Sequence, residues 1–278
     1  MTPVGKALWF IESHFAGDIS LDEIAGISGV SRYHLSRAFG EAMGQPIMRY
    51  VRSRRLTEAA KSLADGATDI LAVALDAGYA SHEAFTRAFR EQFGLTPEAV
   101  RGRRRFDNLS LVEPIKMDET LLTAIEPPRF ADGKPLLIAG LGQRYTCDTS
   151  TAIPSQWQRF GPHIGHVAGQ KPGRAAYGVR CNSDDDGNFD YITGVEVTNF
   201  SDLPADFARV RLSRRRYAVF THRDHVSTIR RTINTAWNAW LPASGHEVAD
   251  APDFEFYGED FDPLTGNGTI EIWIPLKA

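Results

Sequence analysis

The sequence predicts a multi-domain chain, in which an all-α tandem helix-turn-helix domain is followed by an α+β domain of two pseudo-symmetric strand-helix-strand-strand modules. Two observations carry this prediction. A helical pattern begins at Ser31 and again fifty residues later at Ser81, and beyond residue 135 the apolar spacing becomes that of short strands. The 278 residues are also enough for two hydrophobic cores. We place the domains at residues 1–106 and 135–278, joined by a linker over residues 107–134.

The first repeated unit is a short helix, a turn and a longer helix. Ser20 and Glu23 have the spacing of a capping box, which predicts the start of the short helix, and Gly29 ends it. The longer helix follows Ser31, carries its apolar residues on one face and stops at Gly44. This order of elements is that of a helix-turn-helix unit.

The second unit repeats the first with one extra residue before its longer helix. Gly78 matches Gly29, and the longer helix now stops at Gly94. We predict a long helix over residues 49–63 between the two units. The buried residues of the two longer helices agree while most outward residues differ, so the copies share a scaffold but present different surfaces.

The charge of the N-terminal domain is nearly balanced. Residues 1–110 carry 14 lysines and arginines against 13 acidic residues, so affinity for a polyanion must come from local clusters. Arginines cluster in the connection between the units and after the second unit. Such residues can hold phosphates without reading sequence, although similar runs also occur as solvated helix faces. The clustered arginines are Arg49, Arg52, Arg54, Arg55, Arg101, Arg103, Arg104 and Arg105.

The linker and the second domain differ in pattern from the first domain. Prolines make residues 107–134 irregular, with room for one edge strand. Two helical stretches, over residues 153–167 and 226–241, interrupt a series of predicted strands, and turn residues at 184–188 and 262–268 predict a hairpin in each module. The strands are predicted from six runs of β-branched and aromatic residues, which begin at Leu136, Ala175, Tyr191, Arg216, Phe254 and Ile270.

The last strand carries a candidate binding site. Its isoleucines share one face, so Glu271 and Trp273 share the other, and Glu196 has a comparable place in the first module. A carboxylate beside aromatic rings favours an apolar cation, and a groove between two modules suits a small ligand. The alternative is an ordinary solvated sheet face. The tyrosines predicted to join this pocket are Tyr177, Tyr191, Tyr217 and Tyr257.

Several functional classes lack support in the sequence. No apolar run approaches the roughly 20 residues needed to cross a bilayer, so we expect a cytoplasmic protein without a membrane partner. Cys147 and Cys181 are predicted to be free thiols. Two His-x-x-His pairs, at residues 163–166 and 222–225, have the spacing of metal ligands but lack accompanying ligands in sequence. We therefore expect no metal, and no cofactor or catalytic residue is assigned.

The N-terminal residues, over roughly residues 4–105, resemble the DNA-binding domain of the AraC/XylS family of bacterial transcription regulators. Residues from about 136 to 275 are similar to the GyrI-like ligand-binding domain. The order of the two domains resembles that of Rob-type regulators. The segments that carry these similarities begin at Ser20, Val30, Tyr50 and Gly78 in the first domain and at Tyr217, Trp240 and Glu271 in the second.

The resemblance implies a sequence-specific DNA-binding transcription regulator whose two units read an asymmetric site and whose second domain binds a hydrophobic or cationic effector. Double-stranded DNA, the small-molecule effector and RNA polymerase are the implied partners. Arg37 and Arg87 are the strongest candidates for base reading, because arginine can bind guanine through two hydrogen bonds. The residues expected to contact DNA are Arg32, Tyr33, Ser36, Arg37, Arg49, Arg52, His82, Glu83, Thr86 and Arg87.

An enzymatic alternative stays open. Some GyrI-like proteins are hydrolases of small electrophiles that rely on a glutamate and a nearby tyrosine. In this chain Glu271 or Glu196 would be the base, with a raised pKa and a tyrosine in reach. Sensing of a small molecule is the favoured interpretation.

Overall fold

The N-terminal domain consists of helices in a computed structural model that describes residues 1–118, 120 and 122–277. Helices α2 and α3 form one helix-turn-helix unit, helices α5 and α6 form the second, and the long helix α4 joins them, as predicted. The helices are α1 (Pro3–His14), α2 (Leu21–Ser28), α3 (Arg32–Met43), α4 (Ile47–Ala64), α5 (Ile70–Asp76), α6 (His82–Phe93) and α7 (Pro97–Arg103).

The predicted starts and stops of these helices are confirmed. The Ser20 hydroxyl oxygen accepts a hydrogen bond from the Glu23 backbone N–H, and the Glu23 carboxylate accepts one from the Ser20 N–H at 2.8 Å. Gly29, Gly44 and Gly94 end α2, α3 and α6 with φ of 74°, 68° and 70°. A residue with a Cβ is strained in this left-handed conformation, so glycine fixes where each helix ends.

Each helix-turn-helix unit has its own buried cluster. Phe39 belongs to the first cluster and Phe85 to the second, and helix α4 contributes to both. Arg54 of α4 was predicted to hold phosphate, but the structure buries it. Its Nε and Nη2 atoms each lie 3.0 Å from an oxygen of the Glu12 carboxylate. A buried arginine in a bidentate ion pair cannot reach DNA, so this prediction is wrong for Arg54.

The C-terminal domain is one antiparallel sheet with helices on one face, and eight strands lie in the described residues. The spatial order is β1-β6-β8-β7-β3-β4-β2-β5. The helices are α8 (Ile153–Phe160), α9 (Ile229–Thr235) and α10 (Leu241–Ser244), and a π-helical turn (Ala236–Trp240) joins the last two. The strands are β1 (Arg129–Gly133), β2 (Leu136–Tyr145), β3 (Ala176–Cys181), β4 (Phe189–Glu196), β5 (Phe207–Leu212), β6 (Arg215–His222), β7 (Asp253–Tyr257) and β8 (Ile270–Leu276).

The two predicted modules are present and meet where β3 pairs with β7. In each module the last strand lies between the other two, giving β2-β4-β3 and β6-β8-β7. Strand β1 is the edge strand expected in the linker. Strand β5, at the opposite edge, was missed by the sequence analysis, although Ala208, Val210 and Leu212 alternate there with two arginines.

The two domains share an apolar contact between helix α3 and the π-helical turn. Leu35 belongs to the same buried cluster as Trp237. A ring nitrogen of His34 donates a hydrogen bond to the Trp237 carbonyl oxygen at 2.9 Å. The Asn238 side-chain amide donates to the Ala38 carbonyl oxygen at 3.0 Å. Helix α3, the longer helix of the first unit, is therefore packed against the C-terminal domain.

Candidate ligand pocket and DNA-binding surface

An aromatic pocket of about 180 Å³ opens on the sheet face opposite the helices. The rings of Phe254 and Trp273 stack with centroids 5.2 Å apart, and Tyr217 meets both edge-on at 5.4 Å. The structure thus brings together four of the predicted residues, Glu271, Trp273, Tyr177 and Tyr217. The pocket is lined by Gly133, Lys134, Leu136, Tyr177, Tyr217, Phe254, Phe256, Glu271 and Trp273.

A cation that belongs to the chain lies beside the pocket and contacts two of its lining residues. Arg129 of edge strand β1 donates from Nη2 to a Glu271 oxygen at 2.7 Å, and its guanidinium carbon lies 5.0 Å from the centroid of the Trp273 ring. The Trp273 indole N–H donates to the other Glu271 oxygen at 3.0 Å. The Arg129 side chain is half exposed. A carboxylate and a ring face therefore act on one positive group, which is the arrangement that favours a cation.

Glu196 adds negative charge beside the pocket without lining it. It pairs with Lys171 and lies 3.7 Å from the Lys134 ammonium group. Burial raises the pKa of Tyr177, and the charges of Glu196 and Glu271 raise it further. Two carboxylates, one from each module, thus act on the same tyrosine.

Tyr191 and Tyr257 do not belong to this pocket, so the prediction that all four tyrosines share one face is wrong. Both lie on the helix-covered face, where each hydroxyl donates to Glu255, at 2.5 and 3.1 Å. Strand parity explains the error. Phe254 is separated from Tyr257 by three positions and therefore points to the opposite face. The same parity identifies Phe254 and Phe256 as pocket residues, a signal that the sequence analysis did not use.

Glu255 is the carboxylate with tyrosines in reach and a raised pKa. Burial raises its pKa to about 7, against the lowering effect of the two tyrosine hydroxyls. The side chain lies beneath the helices and on the opposite face of the sheet from the aromatic pocket. The features that the hydrolase alternative requires are thus found at a partly buried site away from the aromatic pocket.

The second helix-turn-helix unit presents its predicted DNA-binding residues outward. Glu83 and Arg87 of α6 are exposed, and His82 and Thr86 are partly buried. The His82 ring nitrogen lies 3.2 Å from a Glu98 carboxylate oxygen. Helix α6 begins at the Ser81 cap and displays Glu83 and Arg87 away from its buried phenylalanines. His82 lies on the same side of the helix as Phe85, three residues before it, and the Thr86 hydroxyl oxygen is buried.

The first unit is covered instead. Only 6% of the Arg37 side chain is exposed, and its guanidinium binds the Glu41 carboxylate and, at 3.0 Å, Asp253 of β7. The Tyr33 hydroxyl donates to Asp253 at 3.1 Å. Ser36 is half-buried in the crevice between the domains. In this conformation Arg37 is therefore covered, whereas Arg87, the other candidate for base reading, is exposed.

The phosphate-binding candidates of the first unit face carboxylates of the C-terminal domain. Arg32 pairs with Asp185, Arg49 pairs with Asp148, and Arg52 pairs with Asp186 at 2.9 Å. Each of these arginine side chains is about half exposed. Asp185 and Asp186 belong to the predicted hairpin turn between β3 and β4.

A second arginine is buried beside Arg37. Burial and the positive charge of Arg37 together lower the pKa of Arg180 to about 10. The Arg180 guanidinium lies 3.6 Å from the centroid of the Phe189 ring. In the described part of the chain, the Nε atoms of Arg37 and Arg180 are buried without a hydrogen-bond partner. The contact between the domains thus contains many charged groups, and two of its buried N–H donors lack hydrogen-bond acceptors.

The cysteines, the possible metal ligands and the membrane prediction remain to be compared with the structure. Cys147 and Cys181 are free thiols, and burial raises the pKa of both. Within residues 1–118, 120 and 122–277, no cluster of three or more histidine, cysteine or acidic side chains is arranged to hold a metal ion. In the same residues, no helix has both the length and the apolar character needed to cross a bilayer.

Comparison with known proteins agrees with the division of the chain into a helix-turn-helix domain and a C-terminal sheet domain. The model of the GyrI-like small molecule binding domain matches residues 126–277, and a helix-turn-helix domain model matches residues 24–103. The chain is 27% identical to the transcriptional regulator Rob of Salmonella typhimurium and 25% identical to the right origin-binding protein of Escherichia coli K12, over 97% of this chain and 96% of each relative. The structure of SAV2435 bound to tetraphenylphosphonium is 22% identical over 55% of this chain and 95% of that one, with a TM-score of 0.47.

Two helix-turn-helix units joined to a domain with an aromatic pocket define a transcription regulator with a DNA-binding domain and a small-molecule-binding domain. The chain belongs to the GyrI-like small-molecule-binding domain family and carries an AraC-type helix-turn-helix domain at its N-terminal end.

Proposed function

We propose that a hydrophobic cation binds in the aromatic pocket and controls how this regulator engages its promoter. The observation that carries the proposal is the position of Arg129. Its guanidinium binds Glu271 and lies over Trp273, as an added cation would. A free ligand with aromatic groups would displace Arg129 and add stacking on Phe254 and Tyr217, which an arginine supplies only in part.

The pocket is connected to the DNA-binding domain through strand β7. Phe254 lines the pocket, and its neighbour Asp253 points to the other face and binds Arg37. A ligand that moves Phe254 acts on a residue directly bonded to Asp253. The ligand shifts the regulator between states by as much as its affinity for those states differs.

On the DNA side, we propose that the two units contact successive segments of one asymmetric site. Arg37 and Arg87 read bases, and Arg32, Arg49 and Arg52 hold phosphates. Helix α3 is available for this role only after it leaves the C-terminal domain. RNA polymerase is a further proposed partner, on the strength of the family resemblance.

Calorimetric titration with tetraphenylphosphonium tests the ligand proposal. We expect Glu271→Gln to weaken binding about tenfold, equivalent to roughly 1.4 kcal/mol, because the carboxylate charge is lost while the side-chain shape is kept. Glu91→Gln, on an exposed position of α6, changes the net charge equally and should bind as the wild type does. Equal affinities for the wild type and Glu271→Gln would remove Glu271 from the proposal.

A sensing role is better supported than hydrolysis. Glu271 accepts hydrogen bonds from both Arg129 and Trp273, which hold both of its oxygens. Glu255, whose pKa is raised to about 7, is buried on the other face. Reversible binding of the cation, without turnover, is therefore the expected behaviour.

A further inference from the structure

Four carboxylates of the C-terminal domain lie against helix α3 of the first helix-turn-helix unit and the adjoining first turns of α4. We call them the acidic face, and each binds an arginine predicted to contact DNA. Arg37 is 3.0 Å from its carboxylate and Arg52 is 2.9 Å from its own. The four pairs are Arg32 with Asp185, Arg37 with Asp253, Arg49 with Asp148, and Arg52 with Asp186.

The chemistry of these pairs is that of DNA binding. A guanidinium binds a carboxylate, a phosphate and the O6/N7 edge of guanine with the same N–H donors and in similar geometry. The N–H donors that bind one of these groups are not available to another at the same time. Arg87 of the second unit, by contrast, is exposed. The acidic face therefore occupies one of the two DNA-binding units and leaves the other open.

We propose that the acidic face is an intramolecular substitute for DNA, which covers the first helix-turn-helix unit until DNA displaces it. In the covered state the chain can contact DNA through its second unit alone, and full binding requires helix α3 to leave the π-helical turn and strand β7. This proposal rests on the DNA-binding function and not on the identity or existence of an effector.

The side chains in the contact between the acidic face and the arginines allow DNA to displace the acidic face. Three of the four ion pairs involve half-exposed side chains, and exposed pairs contribute little to stability and are screened by salt. The buried part brings Arg37 close to Arg180 and leaves two Nε donors without partners in the described residues. DNA offers these arginines acceptors of the same kind, so the exchange replaces each ion pair rather than losing it.

A disulfide can hold the covered state closed. A Cβ atom placed on Gly40 of α3 would lie 3.7 Å from the Cys147 sulfur, with nothing else within 4 Å. Gly40→Cys therefore puts two thiols within reach of a disulfide between the domains after a small adjustment. The matched control is Gly40→Cys with Cys147→Ser, and both proteins also carry Cys181→Ser so that only one pairing is available.

The probe is a DNA duplex selected from random sequences by the reduced full-length chain. We expect the oxidised Gly40→Cys protein to bind this duplex at least tenfold more weakly than its reduced form, and to protect only part of the site. The control should bind equally in both redox states. Equal affinity and equal protection by the oxidised and reduced forms would overturn the proposal while leaving DNA binding intact. Absence of binding by every form would overturn both.

A second pair of variants tests the proposal if the disulfide fails to form. Asp185→Asn with Asp186→Asn removes two members of the acidic face and should tighten binding of the same duplex about three- to tenfold. Asp202→Asn with Asp206→Asn removes the same charge from an exposed loop of the same domain. Equal affinities for the two double variants would show that net charge alone matters and would overturn the proposal.

Discussion

The tethered cation of the aromatic pocket leads to a prediction with an unusual sign: removing a positive charge should improve the binding of a positive ligand. Arg129 engages the two groups proposed to bind the charge of the ligand, with Nη2 at 2.7 Å from Glu271 and its guanidinium over the Trp273 ring. In Arg129→Gln, tetraphenylphosphonium no longer has to displace a guanidinium. The free carboxylate and ring face become available to the ligand.

The size of the effect follows from the exposure of the pair. The Arg129 side chain is 51% exposed and that of Glu271 is 22% exposed. Ion pairs of this kind contribute about 0.2–1 kcal/mol, and an exposed cation–π contact adds about 0.5–1 kcal/mol. Displacing Arg129 therefore costs about 0.7–2 kcal/mol, so its removal should tighten binding roughly three- to thirtyfold.

Calorimetry on the wild type, on three single variants and on one double variant measures this effect. Arg211→Gln, on the exposed edge strand β5, removes the same charge away from the pocket and should leave the Kd unchanged. In the Glu271→Gln background, Arg129→Gln should have little effect, because the two side chains act through each other. Unchanged or weaker binding by Arg129→Gln would refute the view that Arg129 and the ligand share a site.

Two further predictions concern helix α3 and the Glu255 carboxylate. Arg37→Ala should lower the free energy of unfolding in urea by about 3 kcal/mol, because Asp253 and Glu41 lose their buried partner. Arg87→Ala should change the free energy of unfolding by less than about 0.5 kcal/mol and weaken DNA binding by about 1–3 kcal/mol. Equal stabilities of the two variants would contradict the buried contact. Because the pKa of Glu255 is raised to about 7 in the folded protein, its contribution to stability is complete below its ordinary pKa of 4.5 and is lost as pH rises through about 7. Unfolding measured between about pH 4.5 and pH 8 should thus show a loss about 2–3 kcal/mol greater in the wild type than in Glu255→Gln, and parallel curves would contradict this.

Local signals in the sequence are sufficient to predict the helices of the N-terminal domain and some of the residues that line the pocket. The capping box of Ser20 and Glu23 and the glycine stops act within a few residues, so they can be recognised without knowing the fold. The period of two in β8 similarly placed Glu271 beside Trp273. Strand parity also separates Tyr257 from Phe254, but it was not applied to the tyrosines together.

The contact between the domains could not be predicted in this way. Arg37 and Asp253 are 216 positions apart, and nothing near either residue indicates the other. Arg37 has the same local sequence context as Arg87, so pattern alone gives both the same role. Only the packing of α3 against the π-helical turn, which is a tertiary property, makes one buried and the other exposed.

The most direct test of effector control is the affinity of tetraphenylphosphonium for the free chain and for the chain saturated with its selected duplex. Thermodynamic linkage requires that DNA change the Kd of the cation by the same factor by which the cation changes the Kd of DNA. If strand β7 couples the pocket to helix α3, the two cation affinities should differ about fivefold or more, equivalent to about 1 kcal/mol. Identical cation affinities with and without DNA would contradict control of this regulator through its aromatic pocket.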